Sequence, residues 1–235
     1  MGKSTLAPLI AFVGCDGAGK STVSEAVLGW MQETRRTQSC HLGIQSKALG
    51  EAMMKWPLVG TSIGRLIARH APRDKPSSKQ NAEGPGNLAA FAMFLLSVRR
   101  WRRYQKMMVL RRNGVAVIAD RFPQIAVPNL KADGPGLAGV HLRNGFVRFL
   151  ARREKALYAH MTRHRPDLVI RLNVDIETAF ARKPDHRYES LVMKIAQVSK
   201  LEYQGAPILD LDSRLPLSDV IAQAKAAVAS SLSHR

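Results

Sequence analysis

The chain has 235 residues, 46% of them hydrophobic, with 36 Lys and Arg against 18 Asp and Glu and a formal charge of +18. The length suits one α/β domain, the apolar content excludes a disordered chain, and the charge favours polyanionic partners: nucleoside phosphates, nucleic acid or an anionic membrane face. Two cysteines make no disulfide framework, and neither a signal peptide nor an apolar run of about 18 residues is found, so a cytoplasmic protein without a transmembrane helix is expected.

In chain order, Leu9–Gly14 (LIAFVG) is a short apolar run ending in glycine and reads as a buried parallel strand. Apolar residues at helical spacing follow from Ser21 to about Thr34. A weak strand is expected near Cys40–Ile44, then a helical stretch over Ala48–His70 interrupted at Pro57, Gly60 and Gly64. Pro72–Gly86 is rich in Pro, Ser, Gly and charge, and residues 72–87 are expected to form a mobile loop. Leu88–Arg112 reads as a long helix, apolar first and basic later, stopped at Asn113–Gly114. Val115–Asp120 is the next buried strand and Phe122–Leu142 a loop. A helix is expected over Gly145–His164, a strand over Asp167–Asp175 and a short helix over Ile176–Arg182. A helix over Tyr188–Tyr203, a last strand over Pro207–Asp212 and a last helix over Leu217–Leu232 complete the chain. Strands alternating with helices predict a three-layer α/β/α fold around a mostly parallel five-stranded sheet, with residues 1–235 as a single domain.

The tetrapeptide GKST occurs twice, at Gly2–Thr5 and Gly19–Thr22. A phosphate-binding loop needs a strand feeding a glycine-rich turn, and then a helix whose N-terminus faces the anion. Gly14–Ser21 reads G-C-D-G-A-G-K-S, the full G-x-x-x-x-G-K-[ST] pattern, between a predicted strand and a predicted helix. The first copy has one residue before it and leads into a strand. Only the second copy predicts a P-loop NTPase fold. There Lys20 is expected to reach the β- and γ-phosphates and the Ser21 hydroxyl to ligate Mg²⁺. The loop residues Gly14, Gly17, Ala18, Gly19, Lys20, Ser21 and Thr22 are expected to hold ATP.

Four stretches together resemble the thymidylate-kinase-like nucleoside monophosphate kinases: GCDGAGKST (Gly14–Thr22), ADRF (Ala119–Phe122), the pair Arg100–Trp101, and RPDLVIRLNVDIETAFARK (Arg165–Lys183). The resemblance implies a phosphotransferase using ATP and Mg²⁺. It implies that Asp16 approaches the acceptor sugar or the transferring phosphate, and that Asp120 sits near the metal with Ser21. Arg121 and Arg100, or Arg99 in its place, would clamp an acceptor anion. Arg182, with Lys183 or Arg187, would close over the donor as part of a lid at residues 182–188. The phosphate loop has Gly17 and Ala18 where one branch of the family carries arginine, which sends the transition-state cation to that lid. Relatives often hold adenine against the loop after the last strand, here Asp212–Leu215, and are often homodimers. The family's Arg-Glu-Pro-Gly-like turn and its thymine-reading Ala-Tyr-Gln stretch are missing. The sequence has DRFPQIAVPNLKADGPGL instead, whose wording is more similar to kinase-like proteins of bacterial polysaccharide synthesis. The phosphate acceptor, a nucleoside monophosphate or a related small polar molecule, stays open.

Other features have blander readings. His160 and His164 are four apart, but no third ligand is evident, and cations suit a helix C-terminus. Cys15, near Lys20 and a helix start, is expected to favour its thiolate and to be alkylated more slowly with ATP present. Arg102 and the basic residues after it are expected to form a solvated face. Asp167 is expected to be structural. Met53 to Arg69 is a basic apolar segment, either core packing or a peripheral membrane contact. No RNA-binding or helix-turn-helix motif is present, so specific nucleic-acid binding is not expected. Beside the kinase stands a second reading: a nucleotide-binding protein without turnover, serving polysaccharide or membrane assembly.

Overall fold

The computed structural model describes residues 6–43, 84–127, 133–139, 141–142 and 144–233. Along them run β1 (Leu9–Gly14), α1 (Lys20–Gln32), β2 (Thr37–His41), α2 (Asn87–Arg112), β3 (Ala116–Asp120) and α3 (Gly145–Met161). Then come β4 (Leu168–Asn173), α4 (Ile176–Arg182), α5 (Tyr188–Val198), β5 (Ile208–Asp212) and α6 (Leu217–Ser233). The five strands form one sheet in the order β2-β3-β1-β4-β5, and every neighbouring pair is parallel.

Side chains alternate across a strand, so the all-apolar β1 feeds two cores. Ile10 and Phe12 pack with Val23, Val27 and Met31 of α1 and with Val220, Ala224 and Val228 of α6. Leu9, Ala11 and Val13 pack with Tyr104, Met107 and Met108 of α2 and with Tyr158 and Met161 of α3. The result is three layers, α/β/α, as in P-loop NTPases. A smaller apolar cluster of Ala90, Leu137, Val147 and Leu150 joins the first halves of α2 and α3. No helix among the described residues is long and apolar enough to cross a membrane.

Several boundaries differ from the sequence expectation for identifiable reasons. The second strand lies at Thr37–His41 rather than at 40–44; among the described residues it is the sheet edge and pairs only with β3, and its TQSCH sequence carries little apolar signal. The helix expected to run to His164 stops at Met161, where the Thr162 hydroxyl donates back to the Tyr158 carbonyl at 2.9 Å. α5 ends at Val198 rather than Tyr203. Arg171 donates to the carbonyls of Val198, Ser199 and Leu201 at 3.3, 3.2 and 3.1 Å, taking acceptors that a further turn would use. Asn87, placed in the loop by sequence, is the first residue of α2.

The basic second half of α2 is not one solvated face. Arg103 donates to the carbonyls of His41 and Gly43 at 3.1 and 2.7 Å. Arg111 is buried and donates to the Ala7 carbonyl at 2.7 Å and to Asp167 at 3.2 Å. Arg102, Lys106 and Arg112 are the exposed members. Asp167 is structural, as expected: it also accepts the Leu9 N–H at 2.7 Å, tying β1 to the start of β4. The expected helix over 48–70, residues 72–83 of the expected loop and the first GKST lie outside the described residues.

Candidate functional site

The turn between β1 and α1 is built for close backbone approach. Gly14 has φ 149°, and a Cβ there would lie 2.6 Å from the Leu172 carbonyl oxygen of β4. Gly17 has φ 86°, and its Cβ would lie 2.7 Å from the carbonyl oxygen of Ala179 in α4. The loop is thereby pressed between the sheet and α4, and α1 begins at Lys20. Lys20 is buried, its Nζ donating to the Cys15 carbonyl at 2.6 Å across the loop. Burial first, and then Arg121, push its ammonium pKa down; Asp16 and Asp120 oppose them. A loop of this form presents amide N–H groups and one ammonium to an anion.

A cavity of about 510 Å³ opens over the loop. It is lined by Asp16, Gly17, Gly19, Lys20, Ser21 and Thr22 on one side, and by His41, Asp120, Arg121, Arg182, Lys183 and His186 on the other. A second cavity, of about 260 Å³, lies behind it between Ala18, Thr22, Val23, Ser213, Leu215 and Leu217. Gly19, Thr22 and Arg182 line both. Arg182 reaches across, donating to the carbonyls of Gly17 at 3.2 Å and Ser213 at 3.0 Å. Either side of residues 182–187, Phe180 of α4 stands edge-on to Tyr188 of α5, ring centroids 5.6 Å apart.

Charges around the cavity form a chain. Asp16 accepts from Arg121 Nη2 at 2.7 Å and from Lys194 Nζ, and His186 Nε2 lies 3.7 Å away. Burial alone would raise the Asp16 carboxyl, but Lys194, Arg121 and Lys20 override it and hold the group at about 2. Arg121 also donates to Asp133 at 3.2 Å, and Asp133 accepts from Arg100 at 3.0 Å. Asp120 Oδ2 lies 2.6 Å from His41 Nδ1. Burial pushes Asp120 up, and His41, Lys20 and Arg121 bring it below the usual carboxylate range. Asp120 Oδ1 is buried with no hydrogen-bond partner among the described residues.

Of the residues singled out in the sequence, Asp16, Gly17, Gly19, Lys20, Ser21, Thr22, Asp120, Arg121 and Arg182 all line the larger cavity. Gly14 and Ala18 belong to the same loop. Arg100 does not open onto the cavity. It is fully buried at the face of α2 turned to α3, with its guanidinium engaged by Asp133 and Tyr158. Arg99 is half-buried on α2, outside the cavity lining. Arg187 is exposed at the N-cap of α5, and the cavity is lined instead by its neighbour His186. The thiolate expected at Cys15 is not favoured: the thiol is buried, and burial pushes its pKa up despite Lys20. His160 meets the Gln105 amide at 3.3 Å and His164 the Tyr104 hydroxyl at 3.1 Å; among the described residues no group of three or more His, Cys, Asp or Glu could hold a metal. Sequence reasoning missed His41, Asp133 and Lys194. His41 sits opposite Asp120 in the β2–β3 ladder, a register that the polar TQSCH strand does not announce. Lys194 carries no sequence signal.

Fold and site together define a P-loop α/β protein. The uncharacterized ATP-binding protein YghR of Escherichia coli strain K12 is 42% identical to the chain over 221 residues, 94% of this chain and 86% of that protein. The uncharacterized ATP-binding protein YghS of the same strain is 38% identical over 232 residues, 98% of this chain and 96% of that protein. The chain belongs to the YghR/YghS family. No protein-family model matches it.

Proposed function

We propose that the chain is an ATP-dependent phosphotransferase, thymidylate-kinase-like in plan, that moves the γ-phosphate to a nucleoside monophosphate or a related small polar acceptor. One observation carries this reading. The phosphate loop and the Asp16–Arg121 pair share a single cavity of about 510 Å³, large enough for a triphosphate end and a second reactant together. ATP as the donor is supported by the relatives, both named as ATP-binding proteins. Adenine fits the smaller cavity by Leu215 and Leu217, whose lining is largely apolar and adjoins the loop.

Phosphoryl transfer is mostly positioning and charge neutralisation. Lys20 exchanges the Cys15 carbonyl for phosphate oxygens. Arg182, which already bridges Gly17 and Ser213 beside the loop, is the cation this reading assigns to the charge that builds on the transferring phosphate. Arg121 and Asp16 orient the acceptor. The residues fit Mg²⁺: Asp120 Oδ1 lacks a partner among the described residues, and Ser21 lines the same cavity, a hard oxygen set of the kind the ion takes beside phosphates. When bound, the ion neutralises the β- and γ-phosphate oxygens.

ATP binding without transfer is a second reading, favoured by one feature. Both Nη groups of Arg121 are already engaged by carboxylates, Asp16 and Asp133, which offset the charge it could offer an acceptor anion. One experiment separates the two readings: ADP release measured against a panel of nucleotides, nucleosides and sugars. Transfer predicts one acceptor that raises the rate, and loss of that rate in Lys20→Ala. Tight ATP binding with no stimulating acceptor supports the second reading and sinks the first.

A further inference from the structure

We propose that Asp133 is a positioning residue that aims the Arg121 guanidinium at the phosphate loop, with Arg100 as its buried anchor. The catalytic consequence rests on the transfer reading; the geometry does not.

The Asp133 carboxylate is divided between two arginines. Oδ1 accepts from Arg100 Nη2 at 3.0 Å and Oδ2 from Arg121 Nη1 at 3.2 Å. On the inner side Arg100 is fully buried, and it also donates to the Asp133 main-chain carbonyl at 2.8 Å and to the Tyr158 hydroxyl at 3.1 Å. A guanidinium at such depth depends on an anion and acceptors; here both Nη groups are engaged, while Nε is buried without a partner among the described residues. Asp133 therefore cannot drift without stranding Arg100, and two like charges would then face each other without the carboxylate between them.

The Asp-Gly-Pro-Gly-Leu stretch that begins at Asp133 is gripped a second time. Glu154, fully buried, accepts the N–H groups of Gly136 at 3.1 Å and Leu137 at 2.7 Å, and the Ser97 hydroxyl at 2.6 Å. Ser97 and Arg100 are one turn apart on α2; Glu154 and Tyr158 are one turn apart on α3. The helix pair thus holds the stretch at two consecutive turns. On the outer side Arg121 has φ 65° and gives its backbone N–H to the Phe12 carbonyl at 2.9 Å. One carboxylate would leave its guanidinium free to swing. Asp133 on Nη1 and Asp16 on Nη2 fix both its plane and its direction.

The test is hydrogen exchange at the Arg121 Nη–H groups, followed by NMR in arginine-¹⁵N-labelled protein and assigned with Arg121→Lys. Exchange should be slowest in the wild type, faster in Asp133→Asn, which keeps a neutral acceptor, and fastest in Asp133→Ala. The span should be about tenfold, the worth of one charge-assisted hydrogen bond. ATP affinity should stay unchanged in both variants, reporting an intact phosphate loop. Exchange that does not depend on residue 133 overturns the proposal. If Asp133→Ala fails to fold, Asp133→Asn decides alone, and wild-type exchange in it is the overturning result. With the acceptor found in the panel, kcat should fall while the KM for ATP holds; an unchanged kcat beside quickened exchange also overturns the proposal. A wild type that transfers to no acceptor removes the transfer reading, and the exchange measurement still judges Asp133.

Discussion

Asp16 has the most heavily contested position in the site, with Arg121 and Lys194 on its two oxygens and His186 beyond. Its carboxyl is held at about 2 against an ordinary 3.8. A depressed carboxyl stabilises the fold when ionised. That contribution is complete above the ordinary value and disappears as pH falls from about 4 to about 2. It should be about 2 kcal/mol. Asp16→Asn is therefore expected to flatten the acid limb of the stability curve over that window, read by urea unfolding at stepped pH. An unchanged acid limb would show that other carboxylates carry it. Cys15, its neighbour, belongs to the opposite regime. Buried and raised, it should react with iodoacetamide far more slowly than an exposed thiol at neutral pH.

At the level of elements, the loop depends on the closeness of α4 and β4. Gly17→Ala would place a methyl 2.7 Å from the Ala179 carbonyl at φ 86°, so α4 must move or the loop must distort. A loss of about 1–3 kcal/mol in stability is expected, with ATP affinity reduced more than in Gly29→Ala, where a Cβ meets open space. Calorimetric titration of both variants checks it. Such elements were readable in the sequence to different degrees. β1, β3 and β4 announced themselves as apolar runs because both of their faces are covered, whereas β2, an edge strand with polar TQSCH, gave a misplaced signal. The phosphate loop was legible because its parts are contiguous. Asp120, Arg121 and Arg182 were legible from short motifs, but His41 and Lys194 were not, because folding brings them from distant segments: His41 meets Asp120 across 79 positions and Lys194 meets Asp16 across 178. Arg100 was singled out as a cleft residue because spacing alone does not say which face of α2 is turned toward α3.

For the molecule as a whole, a charge of +18 on 235 residues makes non-specific attraction to polyanions unavoidable. Binding to duplex DNA should weaken steeply and log-linearly with salt and be indifferent to sequence. Competition titrations with unrelated duplexes at stepped ionic strength would show it, and a strong preference for one duplex would contradict it. ATP should behave otherwise. At a hundredfold excess over its Kd it should stabilise the fold by about 2.7 kcal/mol, and Lys20→Ala should remove most of that gain in a thermal scan.

The central place of β1 has one more consequence, in the order of synthesis. The strand is translated first, yet its two neighbours are β3, ending at Asp120, and β4, beginning at Leu168. Gly14 emerges long before Leu172, the residue whose carbonyl it turns against. A nascent chain therefore carries this apolar strand without its β3 neighbour until Asp120 is added and without its β4 neighbour until Leu168 and beyond. Nucleotide cannot help it fold during that interval, because the loop has no wall. A ribosome-bound chain stalled before Leu168 should be open to protease at Leu9–Gly14, and one stalled after β5 has left the exit tunnel should be protected.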